Sequence, residues 1–553
     1  MTLGRGQTAT YLLLAAILVM GGFIRGISLI SNGPGTLLDL DPFHSLRAVE
    51  SIMNNGNIPR FDALSSAPNG TSYAFATSQG YYSFIGSIGL LSGLSPNEAL
   101  AISPSIFFAL ELISLFALTL AISKSTVAAL LASFFATTLR GWSAISILGA
   151  DPVAENLGAI LFLSAMILAV LLTQRPSYLL VGLLGFVDGI SIEAHPVTYY
   201  FVNLVLVATA STYVVRREWE YAWNTLLAVL ASLYSIALVE ASGTALAEAG
   251  LFSQSAFWLA SLKNNIFTIN NSILISEIGL VTILLSWVSI LVILRHKLTT
   301  LYMLVAWAVV LYCVVLIGQL AVYTPYGTVV EGIPFSAPLT LSHRVMPYLP
   351  PVLCILAAIA VGKFLLPSVA GLSRTLKINQ ATLSGVLLMV ILAASAFQLS
   401  NAFQYSVYYA NSFNTEPTYS SLYTWIREHT AVNSTFAAND LGFGVYVKAI
   451  DQRSVFFTTS QEDLTVPDLT QRAILQTCLF LPLCGSNSTE QMIRSYRIQY
   501  AIIITPALIV NQNSSSFVSF DYYPIAGQYL RWFQSRPGFV EVYIDSNSAV
   551  FAL

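Results

Sequence analysis

Long apolar runs recur along this chain, and they settle most of what it can fold into. About 20 apolar residues span a bilayer as one helix, and a backbone inside hydrocarbon must satisfy its own hydrogen bonds. Eleven such runs lie at about 9–30, 103–122, 125–141, 154–174, 177–192, 197–214, 221–241, 279–295, 301–322, 345–366 and 382–400. A charged share of only 9% agrees, since soluble domains carry about 25%. The first run is too long for a signal-peptide core and ends in no small-residue cleavage site. The stretch 79–95 is apolar but short and Gly-rich, which fits a re-entrant or interfacial helix and allows 11 to 13 spans. The expected fold is mostly α, a polytopic membrane helical bundle.

Basic residues set the orientation. Arg5, Lys124, Arg175, Arg216, Arg217, Arg295, Lys297, Lys363, Arg374 and Lys377 fall in alternating short connections. The positive-inside rule makes those connections cytoplasmic. The remaining loops, including 31–78 and the long 242–278, then face outside and hold most of the acidic residues. The chain reads as a multi-pass protein of the cell membrane, in contact with membrane lipids. With a net charge of -3 and no basic patch with interleaved aromatics, nothing points to nucleic acid.

Character changes after residue 400. Residues 1–400 read as the membrane domain and 401–553 as a small extracytoplasmic α/β domain, with strand-like Ala501-Ile502-Ile503-Ile504 and Val540-Glu541-Val542-Tyr543-Ile544. Asn433, Asn487 and Asn513 head Asn-x-Ser/Thr sequons, which suits an exterior location. Cys478 and Cys484 suit a disulfide if the tail meets an oxidising space, whereas Cys313 and Cys354 sit in apolar runs as small core residues.

Acidic residues at the external face carry the chemistry. Asp39-Leu40-Asp41-Pro42 follows the first span, and a D-x-D pair is a compact oxygen set for a hard cation that would in turn hold a phosphate. Asp151-Pro152-Val153-Ala154-Glu155 opens a membrane helix; Asp151 is expected to cap it, with Glu155 on the same face four residues on. Glu277 ends Leu274-Ile275-Ser276-Glu277, and Arg344 enters a membrane helix against the positive-inside bias. Carboxylates holding a divalent metal, Mn²⁺ or Mg²⁺, with an arginine on a phosphate leaving group and a further carboxylate on the nucleophile, suit sugar transfer from a polyprenyl phosphate or diphosphate. Glu193-Ala194-His195-Pro196 is read first as a structural helix break and second as a metal or proton site.

These residues resemble a family. Asp41-Pro42-Phe43-His44-Ser45-Leu46-Arg47, then Asn57 to Asp62 and Ala67-Pro68-Asn69-Gly70, look like the first external loop of the oligosaccharyltransferase catalytic subunits, especially the archaeal ones. Those are GT-C membrane glycosyltransferases that move a lipid-linked glycan to the Asn of Asn-x-Ser/Thr. The resemblance implies a dolichyl-type donor, a protein or peptide acceptor, metal ligands at Asp41, Asp151 and Glu155, and catalysis at Asp41 and Glu277. It further implies a donor-phosphate contact at Arg344 and acceptor contacts at Glu277, Asp440 and Gly442. The last two stand where the family has Trp-Trp-Asp-Tyr-Gly; here Ala438, Asn439 and Leu441 replace both tryptophans and the tyrosine. Val153 likewise offers no ligand two residues after Asp151.

The lost tryptophans keep a second acceptor class open: a lipid, glycan or other hydroxyl. An inactive paralogue that binds lipid-linked glycan is a third reading. A transporter would show repeats and midplane charges, and neither is apparent.

Overall fold

Each apolar run marked in the sequence carries a helix among the described residues, and seven helices there are long and apolar enough to cross a membrane. The protein is a multi-pass membrane protein. Its computed structural model describes residues 5–38, 41–58, 62–70, 78–139, 152–240, 278–322, 345, 347–412, 417–440, 442–458, 468–480, 486–504, 507–510, 520–523, 530–531 and 533–553.

In chain order the helices begin with α1 (Arg5–Arg25), α2 (Ile27–Asn32), α3 (Asp41–Asn55), α4 (Gln79–Ser92), α5 (Pro96–Ser123) and α6 (Thr126–Thr137). There follow α7 (Ala154–Gln174), α8 (Tyr178–Ala194), α9 (Pro196–Val215), α10 (Trp219–Glu240), α11 (Leu280–Arg295) and α12 (Tyr302–Val322). A further helix, α13 (Leu349–Ile359), runs through a π turn into α14 (Leu366–Leu376), and α15 spans Gln380–Ser412. The described residues beyond it carry α16 (Ser420–His429), α17 (Phe443–Asp451), α18 (Leu469–Phe480), α19 (Ser486–Ser495) and seven strands.

Two compact units result. The first holds Met1–Thr36, Thr77–Gly327 and Ser336–Ser412; the second holds Leu37–Ala76, Thr328–Phe335 and Phe413–Leu553. Composition alone divides the chain at residue 400, whereas packing assigns the first inter-span loop to the same unit as the tail.

The helices of the first unit start where the sequence offers caps. Ser95 Oγ accepts from the Glu98 N–H at 3.3 Å, and the Glu98 carboxylate accepts from the Ser95 N–H at 2.8 Å, which fixes the start of α5 ahead of Pro96. Buried Leu, Ala and Phe from α5 to α13 form its core. Polar side chains inside the bundle are tied to neighbours: Asn203 donates to Asp188 at 3.1 Å and Trp307 to Thr209 at 2.7 Å.

The second unit is built on a sheet ordered β2-β1-β3-β7-β6. Its strands are β1 (Thr435–Ala438), β2 (Ser454–Val455), β3 (Tyr500–Ile504), β6 (Val540–Ile544) and β7 (Ser548–Ala552). β1 runs parallel to β2 and β3, while β7 runs antiparallel to β3 and β6. A separate antiparallel pair joins β4 (Ala507–Val510) to β5 (Phe520–Tyr523). Phe456, Leu475, Leu479, Ile493, Phe533 and Phe551 bury one face. Both strand-like stretches marked in the sequence are strands. Cys478 is disulfide-bonded and Cys313 and Cys354 carry free thiols; the expected partner, Cys484, lies outside the described residues.

Because 37–76 and 413–553 make one compact unit, they share one side of any membrane. The chain between them therefore crosses an even number of times, and the ten runs marked there satisfy this.

Candidate functional site

In the second unit, the start of α3 meets the start of α17. Asp41 is the first residue of α3, and Phe43, one residue beyond Pro42, packs edge-on against Tyr446 with ring centroids 4.8 Å apart. Tyr446 lies one turn into α17, whose N-terminal flank is Asp440 and Gly442. The Asp440 carboxylate accepts from the Phe443 N–H at 3.1 Å, which ties Asp440 to the first residue of this helix; Gly442 is its N-cap. Phe443 is itself fixed by the rings of Tyr419 and Tyr423, at 5.0 and 5.8 Å. Asp41 and the Asp440–Gly442 turn, 399 residues apart in number, thus belong to adjoining helix starts.

Further along the same two helices runs a buried polar chain. Arg47 of α3 donates to both Asp62 oxygens, at 2.5 and 2.7 Å; Ser65 donates to Asp62 at 2.5 Å, and Lys448 of α17 donates to Ser65 at 2.9 Å. Burial disfavours the Asp62 charge, but Arg47, Lys448 and Ser65 together outweigh it and hold the carboxyl below the ordinary aspartate range. Arg472 ties the other end of this loop. It lies between the rings of Phe456 and Tyr496, at 5.1 and 4.8 Å, and donates to Ala67 O, Phe456 O and Asp468.

Asn439 has a scaffold role. Its side-chain oxygen accepts from the Ile504 N–H at 2.9 Å and its Nδ2 donates to Ile504 O at 3.2 Å, extending the ladder past β1.

In the first unit, three segments converge at one end of the bundle. Glu155, in the first turn of α7, lies 3.2 Å from His195 Nε2, and both side chains are nine-tenths buried. One turn on in each helix, Gly158 faces Thr198, and a Cβ on Gly158 would collide with Thr198 Oγ1. Glycine therefore lets α7 and α9 approach closely enough for Glu155 to reach His195. Thr198 also hydrogen-bonds Tyr348 Oη at 2.6 Å, and the Tyr348 ring packs on Phe162 and Phe201 at 5.1 and 4.9 Å. Tyr348 directly precedes α13, four residues after Arg344.

One sequence expectation needs correction. α7 starts at Ala154 with Val153 as its cap residue and no side-chain cap, so Pro152 precedes the helix and does not open it. Val153 is extended, with φ -113° and ψ 157°.

Asp39, Asp151, Glu277, Arg344 and Leu441 lie outside the described residues, and of Asp41 only the backbone is described. Among the described residues no group of three or more His, Cys, Asp or Glu converges as a cation site. Glu155 and His195 nonetheless form an oxygen–nitrogen pair of the kind that borderline divalent ions accept. The sequence places Arg47 in the first-loop motif without a role, and Lys448, Gly158, Thr198 and Tyr348 were passed over. A lysine inside the apolar run of α17 was the available signal for Lys448; nothing local marked Gly158, Thr198 or Tyr348.

No protein-family model matches this chain, and no curated protein matches it in sequence. Solved structures match it in architecture. The oligosaccharyltransferase of Archaeoglobus fulgidus, in its apo form, gives a TM-score of 0.61 at 13% identity, over 89% of this chain and 69% of that one. ArnT from Cupriavidus metallidurans bound to undecaprenyl phosphate gives 0.57 at 12%, over 99% of this chain and 98% of that one. The mycobacterial arabinofuranosyltransferase AftD gives 0.55 at 15%, over 100% of this chain and 40% of that one. The fold is GT-C. A GT-C bundle followed by a small α/β unit is what the sequence leads one to expect.

Proposed function

We propose that this protein is a membrane glycosyltransferase that moves a glycan from a polyprenyl-type phosphate or diphosphate to the side-chain nitrogen of Asn in Asn-x-Ser/Thr. The observation that carries this reading is the meeting of the Asp41 helix start with the Asp440–Gly442 turn. It gathers the donor-side and acceptor-side motifs of the resemblance into one compact unit. One structure of the archaeal oligosaccharyltransferase holds an inhibitory peptide and a dolichol-phosphate, which supports the pairing of a lipid donor with a peptide acceptor.

In this reading Asp41, Asp151 and Glu155 hold a divalent ion. When bound, that ion supplies positive charge to the departing phosphate. Arg344 binds a phosphate oxygen and neutralises it as the sugar–oxygen bond breaks. Glu277 orients the acceptor amide and receives its proton as the nitrogen attacks the anomeric carbon, with inversion. Asp440 and Gly442 shape the turn against which the acceptor lies. The active face and the second unit are extracytoplasmic.

A second acceptor class is favoured by two observations. Asn439 is committed to the sheet and Ala438 is buried in β1, so neither offers an indole to an acceptor hydroxyl. The chain also matches ArnT over nearly the full length of both. A lipid or glycan hydroxyl is the alternative nucleophile.

Transfer from a native lipid-linked glycan extract to a fluorescent Asn-x-Thr peptide decides between them, run with Mn²⁺, with chelator, and with an Asn→Gln peptide. Metal-dependent labelling of the Asn peptide alone supports the first reading. Donor consumption with a bare peptide supports the hydroxyl acceptor. No donor turnover with any metal overturns both.

A further inference from the structure

We infer that His195 is a metal ligand, acting with Glu155 through Nε2, and that its nitrogen biases the site toward Mn²⁺ and away from Mg²⁺. This inference rests on the metal-dependent reading above and deepens it.

Geometry is the first support. An N–H···O bond spans about 2.7–3.2 Å, a charge-assisted one about 2.7–2.9 Å, so 3.2 Å is the long end of the range. Here Nε2 and Oε1 stand 3.2 Å apart. An ion about 2.1 Å from each of two ligands separates them by about 3.0 Å at a right angle and by about 3.4 Å at the tetrahedral angle. The observed separation falls between these values.

Second, the pair is not needed to hold its helices together. Gly158 and Thr198 already bring α7 and α9 into contact one turn away, and the Thr198–Tyr348 hydrogen bond of 2.6 Å adds the approach to α13. A buried ion pair is in any case weak support for stability, because desolvation offsets its attraction. The His195 backbone serves as N-cap of α9, yet its imidazole makes no capping bond and is directed to Glu155 instead.

The donor chemistry then sets the preference. Mg²⁺ is hard and takes oxygen ligands, whereas an imidazole nitrogen suits the later divalent ions, and Mn²⁺ accepts a mixed set better than Mg²⁺ does. Val153 presents no donor, so among the described residues His195 is the nitrogen at this end of α7.

The test is pulsed EPR of Mn²⁺ bound to the purified full chain. Electron spin echo modulation from a coordinated ¹⁴N is expected in the wild type, and it should turn into ¹⁵N modulation when histidine is ¹⁵N-labelled. The labelling arm needs no substitution, so it stands whether or not a variant folds. In His195→Gln that modulation should vanish and Mn²⁺ affinity should fall at least about tenfold, with Mg²⁺ affinity little changed. Oxygen-only coordination in a wild type that still transfers sugar with Mn²⁺ overturns the inference and leaves the glycosyltransferase reading standing. Nitrogen modulation that persists in His195→Gln overturns it too, by assigning the nitrogen to another histidine. A chain that binds no Mn²⁺ and turns over no donor removes both.

Discussion

Arg47 and Asp62 form a two-pronged ion pair, with contacts of 2.5 and 2.7 Å, that ties the helix beginning at Asp41 to the loop behind it. Asp62 is 3% exposed and also receives Ser65, so the carboxylate joins α3, its own loop and, through Ser65, Lys448 of α17. The end of the second unit that carries Asp41 and Asp440 is thereby braced from beneath by charge.

Removing Asp62 would take away the carboxylate that offsets Arg47 and Lys448. Breaking a buried pair costs about 3–5 kcal/mol, and the partial exposure of Arg47 lowers this to about 2–4 kcal/mol. Asp62→Ala should lower the melting midpoint of the second unit and speed hydrogen exchange over residues 62–70. Since the folded Asp62 carboxyl lies below its ordinary value, its contribution is complete above about pH 4 and drains away as pH falls further. Wild-type protein should show that acid loss, and Asp62→Ala should lack it.

Arg472 is 1% exposed and donates to two backbone carbonyls besides Asp468. A lysine there keeps the charge but loses both the fork and the flat face stacked between Phe456 and Tyr496. Arg472→Lys should therefore destabilise the second unit by about 2–3 kcal/mol. Thermal melts followed by far-UV dichroism would reveal it, and a wild-type midpoint would contradict the keystone role.

Gly158→Ala should weaken Mn²⁺ binding without removing any candidate ligand, because the added methyl forces α7 from α9. Thr198→Ala deletes the atom it would strike. The double variant should accordingly bind better than the sum of the single effects, with a coupling energy of about 0.5–3 kcal/mol in a double-mutant cycle. Strict additivity would mean that the helices do not meet at this point.

Asp451 sets an opposite pH trend. Burial pushes its carboxyl up to about 8, only partly countered by Arg427, 3.8 Å away, and by Arg453. A group whose folded value is raised stabilises most below its unfolded value and loses that contribution as pH rises toward the folded one. Stability should thus decline between about pH 4 and pH 8. Asp451→Asn should flatten this slope and raise the midpoint at pH 8.5; an unchanged slope would exclude Asp451 as its source.

Much of this architecture is legible in the sequence because hydrocarbon imposes length and polarity on every span. The runs at 154–174 and 197–214, for example, coincide with α7 and α9 to within a residue or two. The strands at Tyr500–Ile504 and Val540–Ile544 announced themselves by β-branched and aromatic content. The brace did not. Arg47, Asp62 and Lys448 are joined across nearly 400 residues, and no local pattern encodes which distant charge a buried one will meet. Gly158 is equally silent in sequence, since its value lies in what Thr198 places opposite it. The start of α7 is later than the sequence suggests for a local reason: Pro152 and Val153 precede the helix, with Val153 extended, which delays the first turn to Ala154.

The shared unit of residues 37–76 and 413–553 imposes a waiting time. Ribosomes deliver the loop early and its partners last, separated by roughly 340 residues of intervening chain. At about 5–20 residues per second, the loop spends roughly 20–70 s without the rest of its unit. During that interval Arg47 and Asp62 can meet, since both are already made, whereas Arg472 and Lys448 do not yet exist. Assembly of the second unit is therefore a late event in biogenesis, and a chain stopped before residue 413 would display its loop as bait for proteases.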